Sequence, residues 1–274
     1  MPESTNPSAP YTASVELIRT WGQAENGDVY EVALRPHLLD ELHRRWPPLG
    51  LTRHAEQPQG PVVARIGLSD KWVIVPDVEE SGDEPPLLAW DQLEQSLTVF
   101  TAHRLERTVA VHAAVFALDG SCVVVPASSD GGKSTLTVAA ARAGATVLSD
   151  EYTLIDPTTG MVTGWHRPVR IRRGGGSVDR LPLAVRHDPV PVALLAVLDY
   201  HPGGRTTFAP ISQAEAVGHI LAHTLCARIR PDDAFDAAVA VARVATALAG
   251  PRGEADATID ELRRLSRREA GFEQ

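Results

Sequence analysis

Val29 to Leu34 alternates apolar and polar positions as a half-buried strand does, and Pro36 to Trp46 shifts to the spacing of a short helix. Two further strand patterns, Val62 to Ile66 and Lys71 to Val75, are joined by Gly67-Leu-Ser-Asp. Together, residues from about Ser14 to Pro76 read as a small α+β unit. Asp77 to Pro86 is acidic and rich in Gly and Pro, the composition of a loop or linker. Leu93, Leu97, Phe100 and Leu105 then recur at helical period within Leu88 to Arg107.

From Val109 the apolar runs become nearly continuous. Val109 to Leu118 and Ser121 to Val125 are strand-like, and Asp119-Gly120 between them suits a type I′ hairpin turn, whose two central residues need positive φ. A helix is predicted over Lys133 to Ala143, stopped by Gly144. Thr146 to Ser149 is a strand ending at Asp150-Glu151. Tyr152 to Ile155 and Met161 to Trp165 flank the turn Pro157-Thr-Thr-Gly160 as a second hairpin. Pro191 to Tyr200 reads as a strand covered on both faces. Gln213 to Thr224, Asp232 to Leu248 and Ile259 to Arg268 are predicted helices. The pattern predicts a disordered tail over 1–13, an N-terminal unit with its linker over 14–86, and an α/β domain over 87–274.

Composition narrows the function classes. The net charge of −9 offers no electrostatic footprint for nucleic acid or an anionic membrane. No apolar run approaches the ~20 residues that span a bilayer, and the polar, Pro/Ser-rich start from Met1 to Ala9 does not resemble a signal peptide. Cys122 and Cys226 lie in apolar stretches without His or Cys at metal-ligand spacing, and read as buried free thiols of a cytoplasmic protein. Only two of the 26 basic residues are lysines, Lys71 and Lys133.

Lys133 belongs to the segment that carries chemistry. Ala127-Ser128-Ser129-Asp130-Gly131-Gly132-Lys133-Ser134 fits the phosphate-loop pattern, with Ala where the first Gly is usual. Small residues let backbone N–H groups turn inward around phosphate oxygens, and the next helix presents its unpaired donors to the same anion. Residues Ala127 to Thr135 are therefore expected to bind the phosphates of a nucleoside triphosphate. Lys133 reaches the β- and γ-phosphates and Ser134 supplies a hydroxyl to Mg²⁺. Asp130 places a carboxylate inside this anion-binding loop.

Topology is expected to bring two more residues to the loop. Extending the hairpin register past Ala113 sets His112 opposite Ala127. A crossover from the strand at 121–125 to the strand at 146–149 places both C-terminal ends on one edge of the sheet, where ligands of open α/β sheets bind. Asp150 then stands near the γ-phosphate, able to hold Mg²⁺ or to accept a proton from an attacking hydroxyl. Arg170 and Arg172, in the Arg-rich stretch after Trp165, are candidates for contact with substrate or phosphate. His219 and His223, four apart on a helix, lack a third ligand and are not read as a metal site. Arg228 and Arg230 border a turn before Pro231 from which they could reach the site, but nothing in the sequence fixes them there.

Val111-His112-Ala113-Ala114, the Asp-Gly turn, Gly132-Lys133-Ser134-Thr135 and Leu148-Ser149-Asp150-Glu151 together resemble the catalytic domain of the HPr kinase/phosphorylase family, and more closely its stand-alone relatives in biosynthetic gene clusters. Pro168-Val-Arg170-Ile171-Arg172 is similar too. The resemblance spans about Leu105 to Leu181. It implies a phosphate-loop fold akin to phosphoenolpyruvate carboxykinase and ATP/Mg²⁺-dependent transfer of a γ-phosphoryl group to a serine hydroxyl. Asp150 would be the base, His112 its neighbour, and Glu151 the second acid in place of the family's Asp. The family's signature loop is not matched by Arg172-Arg-Gly-Gly-Gly176, and Thr135 stands where the bacterial HPr enzymes have an acid. The expected activity is an O-kinase acting on a peptide or small-metabolite hydroxyl. The alternatives are a non-catalytic nucleotide sensor and a hydrolytic ATPase; a homo-oligomer is left open.

Overall fold

A computed structural model of the chain describes residues 17–46, 50–68, 73–74, 86–128, 131–165, 169–172, 178–181 and 188–269. The predicted tail, most of the linker, Ser129, Asp130 and Arg173 to Gly176 fall outside them.

The first half forms a five-stranded sheet in the order β3-β1-β2-β4-β5. Its strands are β1 (Ile18–Ala24), β2 (Val29–Leu34), β3 (Leu51–His54), β4 (Val62–Leu68) and β5 (Val73–Ile74). Helix α1 (Leu39–Arg45) follows β2, and α2 (Pro86–Ala102) follows β5. Tyr30, Val32 and Leu34 share one face of β2, and they pack with Leu42 of α1 and with Trp90, Leu93, Leu97 and Phe100 of α2. The sequence pattern omits β1 and β3. Ile-Arg-Thr-Trp-Gly-Gln-Ala and Leu-Thr-Arg-His are too polar and too short to show a period, and their pairing with each other and with β2 supplies what propensity does not.

The second half is a mixed α/β layer structure. Its strands are β6 (Val109–Leu118), β7 (Ser121–Pro126), β8 (Thr146–Ser149), β9 (Tyr152–Ile155) and β10 (Val162–Gly164), then β13 (Val192–Tyr200), β14 (Ala209–Pro210) and β15 (Thr246–Arg252). A separate pair, β11 (Val169–Arg172) and β12 (Val178–Leu181), lies between β10 and β13 in sequence. The helices are α3 (Lys133–Arg142), α4 (Gln213–Ala222), α5 (Pro231–Val244) and α6 (Ala255–Glu269). The main sheet runs β10-β9-β6-β7-β13-β15-β14, with β8 paired to the second half of β6. Val109, Val111, Ala113 and Val115 pack toward Ala216, Ile220 and Val241 of α4 and α5. Ala114, Phe116 and Leu118 pack toward Leu136 and Ala140 of α3 and toward Ile259 and Leu262 of α6. The two-residue period of β6 thus sorts its side chains into two cores.

The Asp119-Gly120 hairpin forms as read, with φ of 48° and 89° at its two residues and Leu118 opposite Ser121. The crossover from β7 through α3 to β8 differs in one respect: β8 does not pair with β7, because β6 lies between them. Both strands are antiparallel to β6 and so run the same way. The larger correction is at 246–252. The helix predicted to Leu248 ends at Val244, and Ala245 turns to extended backbone at φ −87° and ψ 138°. The next residues form β15, parallel to β13 from Leu194↔Thr246 to Tyr200↔Arg252. Apolar helical spacing continues into Thr-Ala-Leu-Ala-Gly-Pro-Arg, which has Gly, Pro and a single β-branched residue. Burial of Leu248 in the sheet core and the ladder with β13 override that local preference.

Cys122 and Cys226 are free and buried on the α4/α5 face. Burial pushes the Cys122 thiol up to about 12 and also raises that of Cys226. No helix among the described residues is long and apolar enough to cross a membrane.

Candidate functional site

Strands β7, β8, β13 and β15 all run antiparallel to β6, directly or through parallel neighbours, so their C-terminal ends share one edge with the start of β6. At that edge β7 ends at Pro126 and the chain turns into the loop before α3. Gly132 caps the helix in the left-handed region, at φ 74° and ψ 20°. A Cβ on Gly131 would come within 3.1 Å of the Ala127 side chain and 3.2 Å of the Ser128 carbonyl, so a side chain there would push these neighbours slightly apart. Ala127 is half-buried, while Ser128 and Thr135 are exposed.

Lys133, at 7% exposure, donates from Nζ to the Ala127 and Ser128 carbonyls at 2.9 and 2.7 Å. Ser134 Oγ donates to Asp150 Oδ2 at 3.2 Å. Asp150 follows β8 directly and is 3% exposed. The turn after it is held by Ser149, whose Oγ accepts from the Glu151 and Tyr152 amides and donates to the Trp165 carbonyl. Glu151, half-buried, anchors its carbonyl on the Ala113 amide at 2.9 Å.

His112 reaches the loop as the hairpin register implies: the Ala127 amide donates to the His112 carbonyl at 3.3 Å. Its ring stacks on Tyr152, with centroids 5.2 Å apart. Because β7 peels away at Pro126, the first half of β6 is left without that neighbour. Residues 223–225 take the place: the His112 amide donates to the His223 carbonyl at 2.8 Å, and the Leu225 amide donates to the Ala110 carbonyl at 3.0 Å. This brings the C-terminus of α4 to the site. Burial holds the His223 imidazole below its ordinary pKa, with the Lys133 ammonium and His219 adding to the effect.

Other candidates are placed differently. Arg170 and Arg172 occupy register positions opposite Arg180 and Val178 on the β11–β12 pair, which lies beside α3. Arg230 is committed elsewhere. Its guanidinium gathers the carbonyls of Leu105, Glu106 and Thr108 and the Asp233 carboxylate, clamping the entry to β6. No group of three or more His, Cys, Asp or Glu among the described residues is arranged to hold a metal ion.

Two residues at this edge escape a reading of the sequence. One is His223, whose place depends on α4 ending where β7 leaves a gap. The other is Arg252, 3% exposed, with Nη2 donating to the Gly131 carbonyl at 3.2 Å. It is invisible without β15; the only local sign is a Gly-Pro-Arg-Gly break after an apolar run.

No protein-family model matches the chain, and no curated protein does. Among solved structures, an Hpr(Ser) kinase/phosphatase from Coxiella burnetii aligns with 59% of this chain and 98% of its own, at 15% identity and a TM-score of 0.37. That is a distant structural likeness, too weak to carry an argument about activity or substrate.

Proposed function

We propose that this chain is an ATP- and Mg²⁺-dependent O-kinase that transfers the γ-phosphoryl group to a serine-type hydroxyl of a peptide or small metabolite. The observation that carries the reading is the 3.2 Å contact between Ser134 Oγ, in the first turn of α3, and Asp150 Oδ2, at the end of β8. It sets a hydroxyl and a carboxylate side by side where a glycine-rich loop and a lysine also converge.

The residues suit the groups the reaction needs. A hydroxyl and a carboxylate are hard oxygen donors of the kind Mg²⁺ prefers, and Glu151 is the next residue in the chain. Ser134 and Glu151 would hold the ion, with Asp150 holding it through water, and the ion when bound neutralises charge on the transferred phosphoryl group. The loop from Ala127 to Thr135 would supply backbone amides, and α3 its N-terminus after the left-handed Gly132, to the phosphates. Lys133 then exchanges its two loop carbonyls for phosphate oxygens. Asp150 takes the proton of the acceptor hydroxyl as that oxygen bonds to the γ-phosphorus and ADP departs. His112, fixed through its backbone to Ala127 and His223, lines the approach to the transferring group.

Incubation with γ-labelled ATP, Mg²⁺ and a panel of hydroxyl-bearing peptides and metabolites tests this reading. Label appearing on an acceptor is the expected result. Nucleotide binding with neither transfer nor phosphate release would replace the kinase with a sensor, and release without an acceptor would replace it with a hydrolase.

A further inference from the structure

Arg252 is the last residue of β15 and stands in register opposite Tyr200, the last residue of β13. It is almost wholly buried, yet it forms no ion pair among the described residues. Its guanidinium donates to two backbone carbonyls, Gly253 from Nη1 and Gly131 from Nη2, both at 3.2 Å. Its flat face lies 4.5 Å from the Tyr200 ring centroid. A buried cation bonded only to neutral acceptors is costly, because carbonyl dipoles replace bulk water incompletely. Burial accordingly lowers the pKa of this group, against a smaller opposite effect of Tyr200 and Glu254. Such a residue calls for a compensating role.

The surroundings hold it firmly. The His201 amide donates to the Arg252 carbonyl at 2.9 Å, and the Gly253 amide donates to Thr206 Oγ1 at 3.0 Å. The Tyr200 hydroxyl and the Gly203 amide both donate to Glu254 Oε1. On the loop side, a Cβ on Gly132 would meet Arg252 Nη2, so the guanidinium packs directly against Gly132 and any side chain there would displace it.

We infer that Arg252 is a positioning residue of the phosphate site, locking the Gly131–Gly132 peptide so that its N–H faces the ligand. In a trans peptide the carbonyl of one residue and the N–H of the next point in opposite directions. A guanidinium that grips the Gly131 carbonyl therefore turns the Gly132 N–H away from Arg252. The left-handed backbone favours glycine at position 132. Fixing donors before the anion arrives avoids their reorganisation on binding. Arg252 also adds a desolvated positive charge next to a site proposed to take a polyanion.

This inference rests on the nucleotide-binding reading for its purpose but not for its test. Hydrogen exchange across residues 131–136 is measured without nucleotide in the wild type, R252K and R252M, and MgATP affinity is measured by calorimetry in all three. Lysine keeps the charge but lacks the rigid planar fork that holds both carbonyls and the flat face that lies over Tyr200. The expected result is loop exchange at least 10-fold faster and MgATP affinity at least 10-fold weaker in both variants. R252K decides the matter alone should R252M not fold. Wild-type exchange in R252K overturns the inference, whether or not affinity changes. If the wild type binds no MgATP, the nucleotide reading fails, and the exchange comparison still decides whether Arg252 fixes the loop.

Discussion

Lys133 braces its own loop, its ammonium spanning the Ala127 and Ser128 carbonyls. Replacing it with Met removes that brace and a charge-assisted contact to phosphate, worth about 1.5–3 kcal/mol. Calorimetry should show MgATP affinity lower by about 10- to 100-fold; undiminished affinity would remove Lys133 from the site. His223 is read through pH. Its folded pKa lies below the ordinary 6.5, chiefly through burial, so the unfolded chain takes up a proton more readily. The stability involved is fully present above about pH 6.5 and is lost as pH falls below it. His43, also lowered first by burial, acts in the same direction. The urea midpoint should therefore drop between pH 7 and 5.5, and H223Q should flatten part of that slope. At this scale the convergence of Lys133, Ser134 and Asp150 is legible in the sequence, from the motif and the strand end. The positions of His223 and Arg252 at this edge are not legible, since they depend on where α4 and β15 stop.

Elements position the site through close backbone approaches. Gly164 of β10 lies against β8: a Cβ there would meet the Leu148 carbonyl oxygen at 2.0 Å and its carbon at 2.7 Å. Backbone cannot yield as a side chain can, so G164A should cost about 1–3 kcal/mol and lower the melting temperature by several degrees. Because Leu148 precedes Ser149 and Asp150, turnover should fall with it; an unchanged melting temperature would contradict the packing described. The Asp119-Gly120 hairpin, α3 with Gly144 behind it and the hairpin around Gly160 are legible in advance, since each depends on local turn chemistry or period. β15 is not, since its ladder is with β13, distant in sequence, and β1 is not, since its polar residues show no period although its partner β2 follows directly. The gap left by β7 at Pro126, filled by residues 223–225, belongs to the same non-local class.

At the scale of the whole molecule, parallel strand directions collect the loop, Asp150, Tyr200 and Arg252 at one edge, and β6 adds His112 from the opposite direction. The N-terminal sheet is tied to the entry of β6. Arg104 Nε meets Asp28 Oδ2 at 2.7 Å, and the Glu106 amide donates to Glu25 Oε2 at 2.7 Å. Arg230 clamps the same entry from the other side. This arrangement sets the N-terminal unit beside the end of β6 that carries His112, where we propose it shapes the acceptor side. The central claim is that Asp150 makes a phosphate-binding edge into a phosphotransfer site. The most direct measurement compares D150N with the wild type for MgATP affinity and for label transfer from γ-labelled ATP. Affinity should stay within a few-fold while transfer falls by about 10²-fold or more. Transfer at the wild-type rate in D150N would contradict the account.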